Sequence, residues 1–193
     1  MIGIIILAAG SSSRMGQAKQ NLLYKGQTLL QSAIDAAVAT EIDVVAVVLG
    51  ANANAIQSTI KEQPITVFIN DDWETGMGGS ISFGLKELLK QHPELSSVLF
   101  MLADQPFADV NVIVTLIEKA TPGKIIASAY NNTLGAPILF DKRFFDDLLA
   151  MQGNEGAKKV LQKYPEAVIE IPFDAGAFDI DTPEDYDRLN GKN

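Results

Sequence analysis

Apolar residues in this chain come in short unbroken runs, and between those runs they return at helical spacing. The first run, Ile4 to Leu7, is β-branched and leucine-rich and reads as a buried strand. Helical spacing follows over Leu29 to Val38, then a strand-like run at Val44 to Leu49 and a helix over Ala53 to Lys61. Ile65 to Ile69 reads as a strand, Ser80 to Leu89 as a helix, Val98 to Leu102 as another strand and Asp109 to Lys119 as a helix. From Lys124 the strands shorten, to Ile125–Ala129, Ala136–Phe140 and Ala167–Ile171, with helices near Phe144–Met151 and Ala157–Lys163.

Alternation of this kind predicts an α/β fold, Rossmann-like, with a mostly parallel central sheet and helices on both faces. Ligands in such sheets bind beyond the carboxyl ends of the strands. Gly10, Asn70 and Asp104 each follow a predicted strand, so they are expected to meet at one edge. The 193 residues form one domain's length, with no linker-like tract or repeat. Residues 1–122 are expected to carry mainly the nucleotide-binding part, and 123–193 a lid or acceptor-side surface.

Composition narrows the partners. A formal net charge of -9 argues against nucleic acid or an anionic membrane, though local cations and a divalent metal can still favour a small anion at one site. The chain has no cysteine, which excludes disulfides and thiolate chemistry and fits a reducing cytoplasm. The first apolar run lacks a basic leader and is too short for a signal peptide, and no stretch is long enough to cross a bilayer. A soluble, cytoplasmic protein is expected.

The first strand empties into Gly10-Ser-Ser-Ser-Arg14-Met-Gly-Gln-Ala-Lys19, a small-residue loop with two cations in an acidic chain. Such loops bring backbone N–H groups against phosphates, although a plain surface turn has the same composition. It is not a Walker A loop, because Gln17 follows Gly16, and it lacks the three glycines of the dinucleotide fingerprint. The run Leu7, Ala8, Ala9, Gly10, Ser12, Arg14, Met15, Gly16 and Lys19 does resemble the signature of the MobA-like nucleotidyltransferases that process molybdenum cofactor, their cytidylyltransferase branch in particular.

Three further segments bear on that resemblance. Asp104, in Leu-Ala-Asp-Gln-Pro, either opens a turn at Pro106 or holds Mg²⁺ against phosphate oxygens. The resemblance implies the metal role. In Phe-Asp179-Ile-Asp181-Thr-Pro-Glu-Asp, both aspartates of an extended segment would project to one side, while Thr182 and Pro183 start a helix. Such paired oxygens suit a hard divalent cation, so Asp179 and Asp181 are both expected near the metal, and the resemblance favours Asp179 over Asp181 as the direct ligand. In Trp73 to Ile81, Gly76, Gly78 and Gly79 permit close backbone approach and Ser80 can cap the next helix. The family's matching segment implies a nucleobase contact for these four residues.

One departure from the family pattern and one choice between its branches matter. Ala136 stands in Gly-Ala-Pro where the family commonly has Gly-His-Pro, which bears on acceptor identity. Ala9 makes the loop Leu-Ala-Ala-Gly, whereas GMP-transferring relatives have Leu-Ala-Gly-Gly. His92, the sole histidine, reads as a surface residue, and Met77, Met101 and Met151 as packing residues.

The resemblance therefore implies a Mg²⁺-dependent nucleotidyltransferase that moves CMP from CTP to molybdopterin bearing molybdenum and releases pyrophosphate. Arg14, Lys19 and Asp104 would be its catalytic residues, and the Leu7–Ser12 stretch its nucleotide cradle. Another small-phosphate or sugar-phosphate acceptor is an alternative. So is a non-catalytic accessory protein that delivers cofactor to a molybdenum hydroxylase.

Overall fold

The computed structural model describes residues 1–12, 15, 18–60 and 62–191. Nine strands and seven α-helices are found among them: β1 (Ile2–Ala8), β2 (Leu23–Tyr24), β3 (Gln27–Thr28), α1 (Leu29–Val38), β4 (Val44–Leu49), α2 (Ala53–Gln57) and β5 (Thr66–Ile69) come first. They are followed by α3 (Met77–Gln91), β6 (Ser97–Leu102), α4 (Val110–Glu118), β7 (Ile125–Tyr130), β8 (Thr133–Asp141), α5 (Phe145–Leu149), α6 (Lys158–Lys163), β9 (Val168–Pro172) and α7 (Pro183–Leu189).

The main sheet has seven strands in the order β5-β4-β1-β6-β8-β7-β9, and β2 pairs with β3 in a separate hairpin. β5, β4, β1 and β6 run parallel; β8 is antiparallel to both of its neighbours, and β9 is again parallel to β7. The unbroken apolar runs have a simple cause. In β4, Val44, Ala46 and Val48 pack into the core on one face, while Val45, Val47 and Leu49 pack on the other. Helices α3, α5 and α6 cover the first face, and α1, α2 and α4 the second. A strand buried on both sides has no polar face to show.

The expected elements are present, with shifted ends. The helix expected to reach Lys61 stops at Gln57, and Lys61 lies outside the described residues. Helix α3 starts three residues earlier than its apolar spacing implied, at Met77, so Gly78, Gly79 and Ser80 lie inside its first turn. Ser80 is therefore not the cap. Gly76 occupies that place at φ 107°, a left-handed value that glycine tolerates best, and no side chain caps the helix. The β2–β3 hairpin was not foreseen.

Thr182 does cap α7. Its hydroxyl accepts from the Asp185 amide at 3.2 Å, and Asp185 accepts from the Thr182 amide at 2.9 Å, a reciprocal capping box with Pro183 in the first turn. The helix is fastened to the hairpin by the Tyr186 hydroxyl, which donates to the Leu23 carbonyl at 2.7 Å.

The hydrogen bond from Thr182, with help from Arg188, lowers the Asp185 carboxyl to about 2. Replacing Asp185 with alanine is expected to cost about 1 kcal/mol in urea denaturation near neutral pH. A carboxyl with a depressed folded pKa stabilises above its ordinary value of 3.8, and the benefit drains away as pH falls through about 2. The difference between wild type and variant should shrink over that window.

Candidate active site

The strand order reverses its direction of growth at β1. From β1 the chain steps to β4 and then β5 on one side, then returns to lay β6 on the other side. The loops after β1 and β6 thus part at a switch point, where open α/β sheets leave a crevice. A cleft of about 350 Å³ lies there, lined by Leu7, Ala8, Ala9, Gly10 and Ser11 at and beyond the end of β1, and by Leu102, Ala103 and Asp104 at and beyond the end of β6. Lys19 and Gln20 form a third part of its wall; Trp73, Glu74, Gly76, Met77 and Ser80 form a fourth, and Asn154 enters from the later part of the chain.

Buried polar groups hold the first loop in shape. The Gln20 side chain, 2% exposed, donates to the Ala8 carbonyl at 2.9 Å and the Gly10 carbonyl at 3.0 Å. The Ser12 hydroxyl accepts from the Lys19 amide at 3.0 Å, and Ser12 itself is at φ 54°. Asn70, also buried, donates from its carboxamide to the Ser80 hydroxyl at 3.1 Å. Asn70 thus sits behind the cleft wall and positions Ser80.

At the mouth of β6 the Lys19 ammonium contacts Asp104 and, at 3.1 Å, the Oδ1 of Asp181. The Lys19 and Asp104 side chains are only 18% and 15% exposed, so this is not a solvated surface pair. Burial works against the ammonium, but Asp104 and then Asp181 outweigh it and raise the Lys19 pKa above the usual lysine value. The C-terminal segment is pinned in place by the Ile180 amide, which donates to the Asp104 carbonyl at 3.2 Å. Asp179 is exposed as a residue, yet desolvation and, next, the charge of Asp104 push its carboxyl up to about 6.

A metal can be tested against these donors. Asp104 Oδ1 is buried and has no hydrogen-bond partner among the described residues, a hard carboxylate oxygen of the kind Mg²⁺ and Mn²⁺ take. Among the described residues no three acidic or histidine side chains form a ready cage. This donor set fits a cation that shares one or two carboxylates with phosphate oxygens and water, as Mg²⁺ commonly does.

Several sequence expectations resolve here. Gly10 and Asp104 meet at the cleft. Leu7, Ala8, Ala9, Lys19, Gly76 and Ser80 line it, whereas Ser12, Gly78 and Gly79 do not. Arg14 and Gly16 lie outside the described residues. Met101 and Met151 are buried, but Met77 is 46% exposed and lines the cleft, which corrects its reading as a packing residue. Apolar character alone could not separate a wall residue from a core one.

The glycines of Trp73 to Ile81 have another use. A Cβ on Gly76 would lie 2.4 Å from the Gly153 carbonyl oxygen, and one on Gly78 would lie 2.7 Å from that of Gln152. The Gly78 amide donates to the Gly153 carbonyl at 2.9 Å. Their close approach is to the chain's own 152–155 loop, which carries Asn154 into the cleft. Sequence reasoning missed Asn154 and Gln20. The glycines flanking Asn154 mark only a turn, and nothing local shows that a distant glycine pair receives it.

Fold and cleft together define a nucleotide-binding α/β protein whose polar groups suit phosphate and a divalent cation. Residues 4–168 match the MobA-like NTP transferase domain, and the chain belongs to that family. It is a nucleotidyltransferase by class.

Three curated relatives show the family's range. The chain is 30% identical to "Nicotine blue oxidoreductase" of Paenarthrobacter nicotinovorans, covering 96% of this chain and 94% of that one. It is 31% identical to "Purine catabolism protein PucB" of Bacillus subtilis (strain 168), over 98% and 95%. With "Molybdenum cofactor cytidylyltransferase" of Escherichia coli (strain K12) it shares 26%, over 96% and 93%. Among solved structures, a Mycobacterium tuberculosis H37Rv protein in complex with manganese superposes with a TM-score of 0.82 at 27% identity, covering 100% of this chain and 99% of that one. No helix among the described residues is long and apolar enough to cross a membrane.

Two glycine substitutions separate scaffold from site. A methyl on Gly10 meets nothing within 4 Å, so Gly10→Ala should change stability by less than about 0.5 kcal/mol while weakening nucleotide binding in calorimetry. Gly78→Ala drives a methyl into backbone, and even after the roughly 1 kcal/mol that alanine gains in a helix should lose about 1–2 kcal/mol in denaturation.

Proposed function

We propose that this protein transfers CMP from CTP to a phosphorylated molybdopterin acceptor bearing molybdenum, releasing pyrophosphate. The observation that carries the reading is the contact of Lys19 with Asp104 in the cleft beside the Leu7–Ser11 loop, where Asp181 also reaches the ammonium, opposite a wall that contains Gly76. The loop and Lys19 hold the triphosphate, with Arg14 as a further cation for the departing pyrophosphate. Asp104, with Asp179 or Asp181, holds Mg²⁺, which when bound supplies charge neutralisation on the phosphates. Gly76 and Ser80 face the base, and Asn154 adds a carboxamide to the same wall.

An acceptor phosphate monoester is largely ionised near neutral pH, since its second pKa is about 6. It needs no general base. The chain accordingly has no cysteine, and its sole histidine ends α3, where its ring sits 3.5 Å from Glu94. Catalysis rests on positioning and charge. The lining supports a division of labour in which residues 1–122 take the nucleotide and 123–193 face the acceptor, with Asn154 reaching across. Ala136, in β8, lies outside the lining of the cleft, so the departure from Gly-His-Pro bears on the acceptor side.

Two other readings keep a foothold. An accessory protein would bind nucleotide without turnover, and the relative in Paenarthrobacter nicotinovorans carries an oxidoreductase name. The charged lysine–carboxylate cluster favours phosphate chemistry over both. Pyrophosphate release measured with each of four nucleoside triphosphates, with and without molybdenum cofactor, is the test. Release that needs CTP and the cofactor supports the proposal; nucleotide binding with no release would overturn it in favour of the accessory reading.

Asp104→Ala should keep the fold and lower turnover by about 10²-fold or more, because the phosphoryl charge loses its clamp. Normal turnover at saturating Mg²⁺ would remove Asp104 from the machinery. Ala9 lines the cleft at 7% exposure, and its methyl should favour a pyrimidine by about 1–3 kcal/mol. With CTP and GTP competing at equal concentration, wild type should prefer CTP, and Ala9→Gly should show a smaller preference.

A further inference from the structure

The Lys19 ammonium stands where the site's carboxylates converge. Asp104 comes from the end of β6 and Asp181 from the C-terminal segment, and without a cation between them the two charges would repel. The backbone of Lys19 is fixed by the Ser12 hydroxyl, and its neighbour Gln20 is tied to the Ala8 and Gly10 carbonyls. Its flexible stem is therefore rooted at the cleft wall and free to redirect only its tip. One Asp104 oxygen is held by the ammonium, while the other is buried with no partner among the described residues. A divalent cation taking the other oxygen would share this one carboxylate with the ammonium a few ångströms away, and two cations so close repel in a partly buried site.

An anionic ligand in the cleft changes the competition, because Lys19 also lines that cleft next to the Leu7–Ser11 loop. We propose that Lys19 is a counter-ion to Asp104 and yields that carboxylate to a divalent cation only when a polyphosphate offers the ammonium another partner. Metal alone then binds poorly, and nucleotide and metal bind cooperatively, each raising the affinity of the other by the same factor. The inference rests on the nucleotidyl-transfer reading and adds a role for Lys19 to it: the ammonium weakens the hold of Asp104 on a divalent cation until a polyphosphate draws it away.

The test is direct Mn²⁺ binding to the full chain, read from the electron paramagnetic resonance signal of free Mn²⁺. Wild type, Lys19→Met and Lys19→Arg are titrated alone and with a non-hydrolysable CTP analogue. Without nucleotide, Lys19→Met should bind Mn²⁺ about tenfold tighter than wild type or more, since it has lost the competing charge. Lys19→Arg retains that charge and should bind as weakly as wild type. Equal nucleotide-free affinities for wild type and Lys19→Met would overturn the proposal.

If Lys19→Met does not fold, wild type alone still decides: a Mn²⁺ affinity unchanged by the analogue overturns the inference. The pyrophosphate assay fails separately. Cooperative metal binding without pyrophosphate release would sink the transfer reaction and keep the counter-ion role; release without cooperativity would do the opposite.

Discussion

Strand β1 is hydrogen-bonded in parallel to β4 on one side and to β6 on the other, and the site depends on that double pairing. Parallel neighbours carry their following loops to the same edge of the sheet, so the turn after Ala8 and the turn after Leu102 must emerge side by side. Being covered by helices on both faces, these strands cannot hold charge along their length without an uncompensated desolvation cost. Ionic groups are therefore displaced to the first residues beyond the strand ends. Asp104 lies two residues past β6, and the Ala103 amide, donating to the Leu7 carbonyl at 3.2 Å, extends the β1–β6 pairing up to its threshold.

An acidic protein with a cleft for an anion has an electrostatic conflict, and it is met locally. Lys19 is matched with carboxylates from two distant segments, and its loop is stapled by a buried glutamine. Removing one partner from an ion pair withdrawn from solvent leaves the other short of a counter-charge, and several fixed elements converge to keep these partners together. The capping box of α7 and the Ile180–Asp104 hydrogen bond hold the C-terminal aspartates close to the ends of strands from the first half of the chain.

The sheet was readable because its signals are local: continuous apolar runs set the strands, and period-3.6 spacing set α1 to the residue. Thr182-Pro183 announced α7 for the same reason, since a cap needs only neighbours in sequence. Position just past a strand also brought Gly10, Asn70 and Asp104 into view, and Lys19 stood out as a cation in the small-residue loop after the first strand. What escaped notice was long-range. The start of α3 is set by a backbone conformation at Gly76 and by contact with a loop some 75 residues away in sequence, so apolar spacing began the helix too late. Gln20 and Asn154 are polar residues whose importance comes from what folds against them, and Met77 faces the cleft with the same composition that elsewhere buries Met101. The β2–β3 hairpin has only two residues on each strand, too few for an alternating pattern to register.

The seam between Gly76–Gly78 and residues 152–155 also bears on how such proteins diverge. A recombination event that exchanged the later part of the chain for that of a relative would import a new 152–155 loop onto an old glycine pair, where even one added methyl meets backbone. The two parts of the fold are thus linked in inheritance: the loop and the helix start that receives it have to change together. Tolerated change at this seam should therefore come as paired substitutions on its two sides more readily than as wholesale exchange of either half.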